Sequence, residues 1–254
     1  MKTNKIIIVG SMMFLAIGIM FLTGYLRGVT VKAETGTRDK PIVFDDFIRF
    51  TTQKCVELGT MTDGVHKWVK RVPIEKDGTS LDWLIHGSSG RLCIGYKSGL
   101  EICDTGVAVA DFMIKNGIIE LKVAPSGMSD KKNAAYINYR ASAIQSAAGS
   151  KMEGAYHVGV SPDWSKKEDV GLFFGKTKLI SADVAESSKP ADLHSLKVMF
   201  KENRHVVWID GKKIIDFLDS SPERNKEGQV GFGGWYSCGY FDEFALYKVE
   251  DLEE

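Results

Sequence analysis

The chain has 254 residues, with 33 basic and 33 acidic side chains and a formal net charge of zero. A chain of this length forms either one large all-β domain or two smaller ones, and because no internal linker is visible we expect one. No basic stripe suited to phosphate contacts is present, so we expect no nucleic-acid partner.

The N-terminus carries an apolar segment, since residues 6–26 contain no charged side chain and follow two lysines. A helix of this length can span a bilayer, and the order of charges is typical of a segment held at its cytoplasmic end. Val31 and Ala33 also fit the small-residue pattern of a cleavage site. We expect residues 1–33 to be a signal peptide or signal anchor, and residues 34–254 to be secreted or membrane-anchored outside the cytoplasm.

Short strands separated by turn residues follow. The first predicted strand, residues 42–50, has an apolar face of three residues: Phe44, Ile48 and Phe50. Asp45 and Asp46 interrupt it, which is costly unless their carboxylates reach solvent, a turn or a cation. Further strands with Gly, Pro and Asp-Gly turns extend to residue 85, a spacing that favours a sandwich or barrel. Residues 107–114 and 118–124 flank Asn116-Gly117, which predicts a hairpin.

The middle of the chain contains a strand with two different faces. Period two in residues 134–140 separates an apolar face (Ala135, Ile137 and Tyr139) from a polar and aromatic one (Tyr136, Asn138 and Arg140). The next strand carries His157, and the loop after it carries Trp164. Flat rings suit the C–H face of a sugar, and planar polar groups suit its hydroxyls. We therefore expect Tyr136, Asn138, Arg140, His157 and Trp164 to form a ligand surface. Alternatively, Arg140 makes a structural salt bridge and Tyr136 packs under a loop.

The last quarter of the chain is a series of strands. Two β-branched and aromatic runs flank Asp210-Gly211, a dipeptide that tolerates the positive φ angles of a type I′ turn, and we expect a hairpin there. Trp208, between a valine and an isoleucine, is expected in the core or packed between the sheets. Two more extended runs, residues 228–232 and 240–249, complete the sheet.

These strands carry a resemblance to a known superfamily. The opening strand reads IVFDDFIRF and the closing ones read VVWIDGKKIIDF, GQVGFGGWYS and FDEFALYKV. They resemble strands of the concanavalin A-like lectin/glucanase superfamily, and most of all its laminin-G-like and 3-keto-disaccharide-hydrolase-type domains. The resemblance covers residues 41–249. It implies one antiparallel all-β jelly-roll sandwich whose concave sheet binds a glycan or polysaccharide, preceded by an N-terminal hydrophobic helix.

The resemblance does not establish a reaction. Glucanases of this superfamily place their carboxylates in a Glu-x-Asp-x-x-Glu pattern, and this chain has no such pattern. The 3-keto-disaccharide hydrolases often have a glutamate where this chain has His157. We expect an extracytoplasmic carbohydrate-binding protein, with glycoside or 3-keto-disaccharide hydrolysis as one alternative and a laminin-G-like protein-interaction domain as another.

A cation and disulfides are also expected. Many resembling sandwiches hold a calcium ion near their terminal strands, and Asp46 and Asp242 are the residues that would bind it here; alternatively, both cap turns. Four cysteines suit an oxidising compartment and allow three connectivities. Hairpin geometry favours Cys93 with Cys103, and the pairing of first and last strands in resembling proteins favours Cys55 with Cys238. A zinc site is disfavoured, because the chain has no Cys-x-x-Cys spacing.

Overall fold

The structure is a computed structural model. It describes residues 40–47, 60–71, 84–86, 91–94, 105–109, 112–126, 134–141, 154–161, 168–184, 192–221, 224, 226–235 and 238–250. All regular secondary structure in these ranges is β-strand, which confirms the predicted all-β fold class. No helix in the described part of the chain has the length and apolar composition needed to cross a membrane. The predicted hydrophobic helix at residues 6–26 lies outside the described residues.

The strands, in chain order, are β1 (Val43–Asp45), β2 (Trp68–Arg71), β3 (Leu84–His86), β4 (Arg91–Ile94), β5 (Thr105–Val109), β6 (Gly117–Ser126), β7 (Ala134–Ala141), β8 (Tyr156–Val160), β9 (Val170–Phe174), β10 (Thr177–Ala182), β11 (His194–Lys201), β12 (Arg204–Ile209), β13 (Lys212–Leu218), β14 (Gln229–Trp235) and β15 (Cys238–Lys248). They form two antiparallel sheets. The eight-stranded sheet has the order β13-β12-β11-β6-β15-β4-β3, with β1 also paired to β15, and the seven-stranded sheet has the order β10-β9-β8-β7-β14-β5-β2.

The two sheets enclose one hydrophobic core because their strands alternate apolar and polar residues. In β11, for example, Leu196, Val198 and Phe200 are almost fully buried, whereas the residues between them are more exposed. Each fully buried side chain of this size stabilises the fold by about 1.5–3 kcal/mol relative to an exposed one. Buried residues of both sheets belong to the same cluster, so the fold is a sandwich.

The closing hairpin is confirmed. β12 pairs with β13, and the two residues between them, Asp210 and Gly211, have φ angles of 49° and 78°. The expectation for Trp208 was wrong, however. It lies between the buried residues Val207 and Ile209, so it faces outward from the eight-stranded sheet, where Lys197 Nζ lies 5.1 Å from its ring centroid.

The hairpin predicted at Asn116-Gly117 was wrong. β5, which precedes it, pairs with β14 and β2 in one sheet, whereas β6 pairs with β11 and β15 in the other. The chain therefore crosses between sheets here. Asn116 is buried, and its Oδ1 accepts hydrogen bonds from Arg140 Nη2 and from the backbone N–H of Glu202. These bonds explain the asparagine without a hairpin turn.

The first strand pairs with the last, as β1 lies against β15. Its phase differs from the prediction, because Val43 and Asp45 are fully buried and Phe44 is only partly buried. Asp45 needs neither solvent nor a cation. Its carboxylate accepts hydrogen bonds from the Trp68 indole N–H (2.5 Å), the Thr62 hydroxyl (3.0 Å) and a backbone N–H. A buried carboxylate is tolerated when donors surround it in this way.

Each predicted cysteine pair includes one residue outside the described ranges. Cys55 and Cys103 lie outside the described residues, and only the backbone is described at Cys93 in β4 and Cys238 in β15. The hairpin argument for Cys93 is weakened, because β4 and the next described strand, β5, belong to different sheets. Both disulfides stay predictions.

Candidate functional site

The outer face of β7 carries polar residues that the sequence singled out. Alternate residues of this strand, Ala135, Ile137 and Tyr139, belong to the core. Because successive side chains point to opposite faces of a sheet, Tyr136 and Asn138 face away from the core. The seven-stranded sheet therefore presents a phenol and an amide, two residues apart, on its outer face.

His157 lies beside these residues on β8. Its position in the sheet is directly opposite Asn138, and its neighbours Tyr156 and Val158 belong to the core. The imidazole meets the ring of Tyr136 edge to face, with centroids 5.1 Å apart and planes inclined by 81°. The structure thus brings together three of the five ligand residues expected from the sequence.

Phe173 on β9 extends this group, and sequence reasoning missed it. Val170 and Leu172 belong to the core, so Phe173 lies on the outer face, directly opposite His157. The phenyl and imidazole rings are stacked, with centroids 4.8 Å apart and an interplanar angle of 8°. Three neighbouring strands therefore each contribute one ring to a continuous aromatic surface.

A glycine allows the ring of Phe173 to lie along the sheet. A Cβ added at Gly171 would be 2.5 Å from Cε2 of Phe173, far closer than van der Waals contact. The phenyl ring therefore covers the backbone of the glycine two residues earlier on the same face. A strand glycine with an aromatic ring over it was the signal available in the sequence, since β9 reads VGLFF.

Asn138 is the most deeply buried polar residue of this face. It is only 5% exposed although it points away from the core. Among the described residues, no hydrogen bond is recorded for its side-chain amide or for the ring nitrogens of His157. The amide of Asn138 therefore offers a donor and an acceptor to a polar group bound here.

The charge of the site is set by the burial of His157, which lowers the pKa of the imidazole to about 4. The ring is therefore neutral near pH 7, with one nitrogen that donates and one that accepts a hydrogen bond. Together with the amide of Asn138, it offers donors and acceptors from two adjacent strands. Hydroxyl groups, which both donate and accept, are suitable partners for this pair.

On the other side of β7, β14 contributes backbone rather than side chains. Gly231 is opposite Asn138, and Gly233 is opposite Tyr136. On β5, the next strand, Ala108 and Gly106 are opposite these glycines. Tyr136 and Asn138 therefore border a strip of the sheet whose residues have at most a methyl side chain.

Arg140 does not lie on the outer face of the sheet with Tyr136 and Asn138. A register shift between β7 and β14 at this point marks a bulge, and Arg140 has a φ angle of 51°. Its side chain is 1% exposed and donates to the backbone oxygens of Lys115 (2.7 Å) and Glu202 (2.5 Å) and to Asn116. Its guanidinium also lies 5.4 Å from the ring centroid of Phe200.

These contacts give Arg140 a structural role. They join β7 of one sheet to the segment before β6 and to the turn after β11 in the other. The partners named here are backbone carbonyls and an amide, and the predicted salt bridge of Arg140 stays a prediction. The bulge also requires Gly228, where a Cβ would lie 2.3 Å from the carbonyl carbon of Arg140.

A buried polar network lies behind the site, on the core side of β7 and β8. The hydroxyl of Tyr139 is 2.9 Å from Nδ1 of His205, and the hydroxyl of Tyr156 donates to Asp219 at 2.7 Å. The ring of His205 is fully buried and lies 4.3 Å from that of Tyr156, centroid to centroid. Its Nε2 has no hydrogen-bond partner among the described residues. Both strands that carry the site are thus anchored across the sandwich.

The remaining expected residues lie elsewhere. Trp164 is outside the described residues. Asp46 Oδ1 lies 2.7 Å from the Thr62 hydroxyl oxygen and shares its one hydrogen with Asp45, and Asp242 accepts a hydrogen bond from the backbone N–H of Glu243 (2.9 Å). The described residues contain no group of three or more His, Cys, Asp or Glu side chains arranged to hold a metal ion. Calcium binding at Asp46 and Asp242 stays a prediction.

Comparison with known proteins identifies the fold. No family model matches the chain, and no curated protein matches it. A Bacillus subtilis protein of unknown function with a galectin-like fold is similar over 84% of this chain and 98% of its own, at 10% identity and a TM-score of 0.56. The chain therefore shares the two-sheet, galectin-like sandwich fold of that protein.

Two further solved structures are similar at lower scores. The carbohydrate-binding module CBM66 from Bacillus subtilis covers 71% of this chain and 95% of its own, at 13% identity and a TM-score of 0.47. The exoplasmic/lumenal domain of VIP36, in a form bound to Ca²⁺ and Man3GlcNAc, covers 76% and 86%, at 11% identity and a TM-score of 0.49.

Proposed function

We propose that this protein binds carbohydrate on the outer face of its seven-stranded sheet, at the site formed by Tyr136, Asn138, His157 and Phe173. The observation that carries the proposal is the pair formed by Asn138 and His157. These directly opposed residues have no recorded hydrogen bond within the described part of the chain, and they lie beside two aromatic rings.

The chemistry of this pair suits a sugar. A sugar ring has an apolar C–H face, which an aromatic surface covers, and hydroxyls that need both donors and acceptors. Asn138 supplies an amide and His157 a neutral imidazole, next to the rings of Tyr136 and Phe173. Ligand hydroxyls would bond the amide of Asn138 and the imidazole of His157, which both donate and accept.

The test is a binding titration of a polysaccharide panel with the intact protein and three variants. Asn138→Ala and His157→Ala should each weaken binding about five- to tenfold, because a hydrogen bond contributes about 1 kcal/mol. Neither substitution removes a recorded hydrogen bond, so the variants should stay folded. Trp208→Ala is the matched control, because it removes an aromatic ring from the outer face of the other sheet and should leave affinity unchanged.

Two results would contradict this assignment. Affinity that is the same in Asn138→Ala, His157→Ala and the wild-type protein would place the sugar elsewhere. Affinity that is lost in the Trp208→Ala control but kept in both site variants would place it on the eight-stranded sheet. Circular dichroism of each variant would establish that the sandwich is intact.

We also propose that the domain works outside the cytoplasm. The support is the uncharged stretch at residues 6–26, which follows two lysines and has the length of a membrane-spanning or signal segment. Protease added to intact cells should degrade the domain if it is anchored, and a secreted domain should be recovered from the medium. A domain found only after lysis would contradict the proposal.

Calcium binding is a separate proposal, at Asp46 just after β1 and Asp242 in β15. The support is that these two strands pair with each other and each supplies a carboxylate. Calcium should raise the melting temperature of the wild-type protein but not that of Asp46→Asn. An equal shift in both proteins, or none in either, would contradict this site.

A further inference from the structure

The proposed site is built from uncharged residues on four adjacent strands. Two rows of directly opposed residues cross the outer face from β14 to β9: Gly231, Asn138, His157 and Phe173 in one row, and Gly233, Tyr136, Gly159 and Gly171 in the other. With the imidazole neutral near pH 7, no member of either row carries a charge. These eight described residues therefore offer hydrogen bonds and ring surface, but no ion pair.

Two charged side chains that the structure describes beside these rows, those of Lys178 and Arg140, are bound to other groups. Lys178 on β10 is opposite Phe173, and its Nζ bonds the carboxylate of Glu168 at 2.6 Å. Arg140, which follows the site on β7, is turned into the sandwich and bonds backbone oxygens. Neither cation is directed at the ligand face as a free positive charge.

An anionic ligand would therefore be poorly solvated at this face. A carboxylate or sulfate placed against Asn138 and Phe173 would lose water and gain only hydrogen bonds to neutral groups. Desolvating a charge without a counter-ion costs far more than desolvating a hydroxyl. An uncharged sugar exchanges its water for the same hydrogen bonds at a smaller cost.

We infer that the ligand of this site is an uncharged glycan, and that uronate-containing and sulfated polysaccharides are rejected. The inference rests on the proposed function and specifies the class of carbohydrate. The discriminating groups are Asn138 and His157, because they would meet the ligand's polar substituents. Specificity here comes from the absence of a compensating charge in both rows, not from a steric block.

The test compares each of several polyuronates with its own carboxyl-reduced product. Reduction converts the carboxylate to a hydroxymethyl group on the same ring carbon, so each pair differs in charge while ring configuration and linkage stay the same. Affinity of the wild-type protein is measured at about 20 mM and about 300 mM NaCl, since screening separates charge effects from contact effects. Neutral polysaccharides of other linkages complete the panel.

We expect at least one reduced polymer to bind at least about tenfold more tightly than its parent polyuronate, with little dependence on salt. Binding of the polyuronate that equals or exceeds that of its reduced product, and weakens with salt, would overturn this inference but leave the proposed function standing. Failure of folded protein to bind any member of the panel would contradict the proposed function itself.

Discussion

The imidazole of His157 lies parallel to the phenyl ring of Phe173, with centroids 4.8 Å apart and planes inclined by 8°. The two residues are directly opposed on β8 and β9, so the sheet register holds the rings together. This stack fixes the orientation of the imidazole, and with it the directions in which its nitrogens can bond.

Gly171→Ala should weaken glycan binding. The new Cβ would lie 2.5 Å from Cε2 of Phe173, so the ring must move and His157 loses its stacking partner. We expect a loss of about 1 kcal/mol of stability from the displaced aromatic pair. Urea unfolding and sugar titration measure the two effects.

The control for Gly171→Ala is the same substitution in a Phe173→Ala background. There the added methyl meets no ring, and alanine is the better strand residue by about 0.5–1 kcal/mol. We therefore expect Gly171→Ala to be neutral or stabilising in that background. Equal destabilisation in both backgrounds would show that the glycine serves some purpose other than making room for the ring.

Gly228→Ala should be strongly destabilising, by about 3 kcal/mol or more. Its Cβ would lie 2.3 Å from the carbonyl carbon of Arg140 and 2.4 Å from the oxygen of Ala141, and backbone atoms cannot move aside as a side chain can. Gly64→Ala is the control, because its φ of 74° is strained for alanine but the space around it is open. That variant should lose only about 1 kcal/mol. Similar losses in both would contradict the close-packing argument.

Asp210→Val should weaken the closing hairpin by about 2 kcal/mol. Asp210 has a φ of 49°, which a β-branched residue resists, and its carboxylate bonds His194 Nδ1 (2.7 Å) and the backbone N–H of Ser195 (2.9 Å). Asp210→Asn tolerates the same φ and retains an acceptor, so it should lose less than half as much. Thermal unfolding of the two variants makes the comparison, and equal melting temperatures would refute the turn argument.

His205 should make the fold sensitive to acid. Burial, followed by the nearby Arg140 charge, lowers the pKa of His205 from 6.5 to about 3. As pH falls, the unfolded chain therefore takes up this proton before the folded chain does. The free energy of unfolding is unaffected by protonation of His205 above about pH 6.5 and decreases between about pH 6.5 and 3. At about 1.4 kcal/mol per pH unit, His205 should account for a loss of about 2 kcal/mol between pH 7 and pH 5.

Urea unfolding of the wild-type protein and His205→Phe at both pH values isolates this contribution. The phenyl ring keeps the contact with Tyr156 but cannot be protonated. Loss of the bond to Tyr139 costs the variant the same amount at each pH, so it cancels from the pH difference. As pH falls from 7 to 5, the free energy of unfolding of the wild-type protein should decrease relative to that of His205→Phe. A difference between the two proteins that is independent of pH would refute the assignment.

Dipeptide patterns predicted a turn correctly only where the two flanking strands pair with each other. Asp210-Gly211 forms the expected hairpin because the flanking strands pair with each other. Asn116-Gly117 has the same type of signal, yet its flanking strands lie in different sheets, and the amide of Asn116 bonds residues far away in sequence. Strand pairing is a long-range property that a dipeptide does not encode.

The period-two pattern predicted the faces of only some residues at the site. It placed Tyr136 and Asn138 on the outer face of β7, but it could not anticipate the bulge that turns Arg140 into the sandwich. Phe173 was missed because a run such as VGLFF resembles a strand buried on both faces. Its outward position follows from the buried Val170 and Leu172, and Gly171 makes room for its ring.

The most direct test of the account is an NMR titration of the wild-type protein with the tightest-binding neutral polysaccharide fragment. If the sugar binds the seven-stranded face, the side-chain NH2 signals of Asn138 and the ring signals of His157 should shift on binding, while the indole N–H of Trp208, on the opposite sheet, should not. Saturable binding that shifts the Trp208 signal, and leaves those of Asn138 and His157 unchanged, would contradict the central claim that the seven-stranded face is the sugar site.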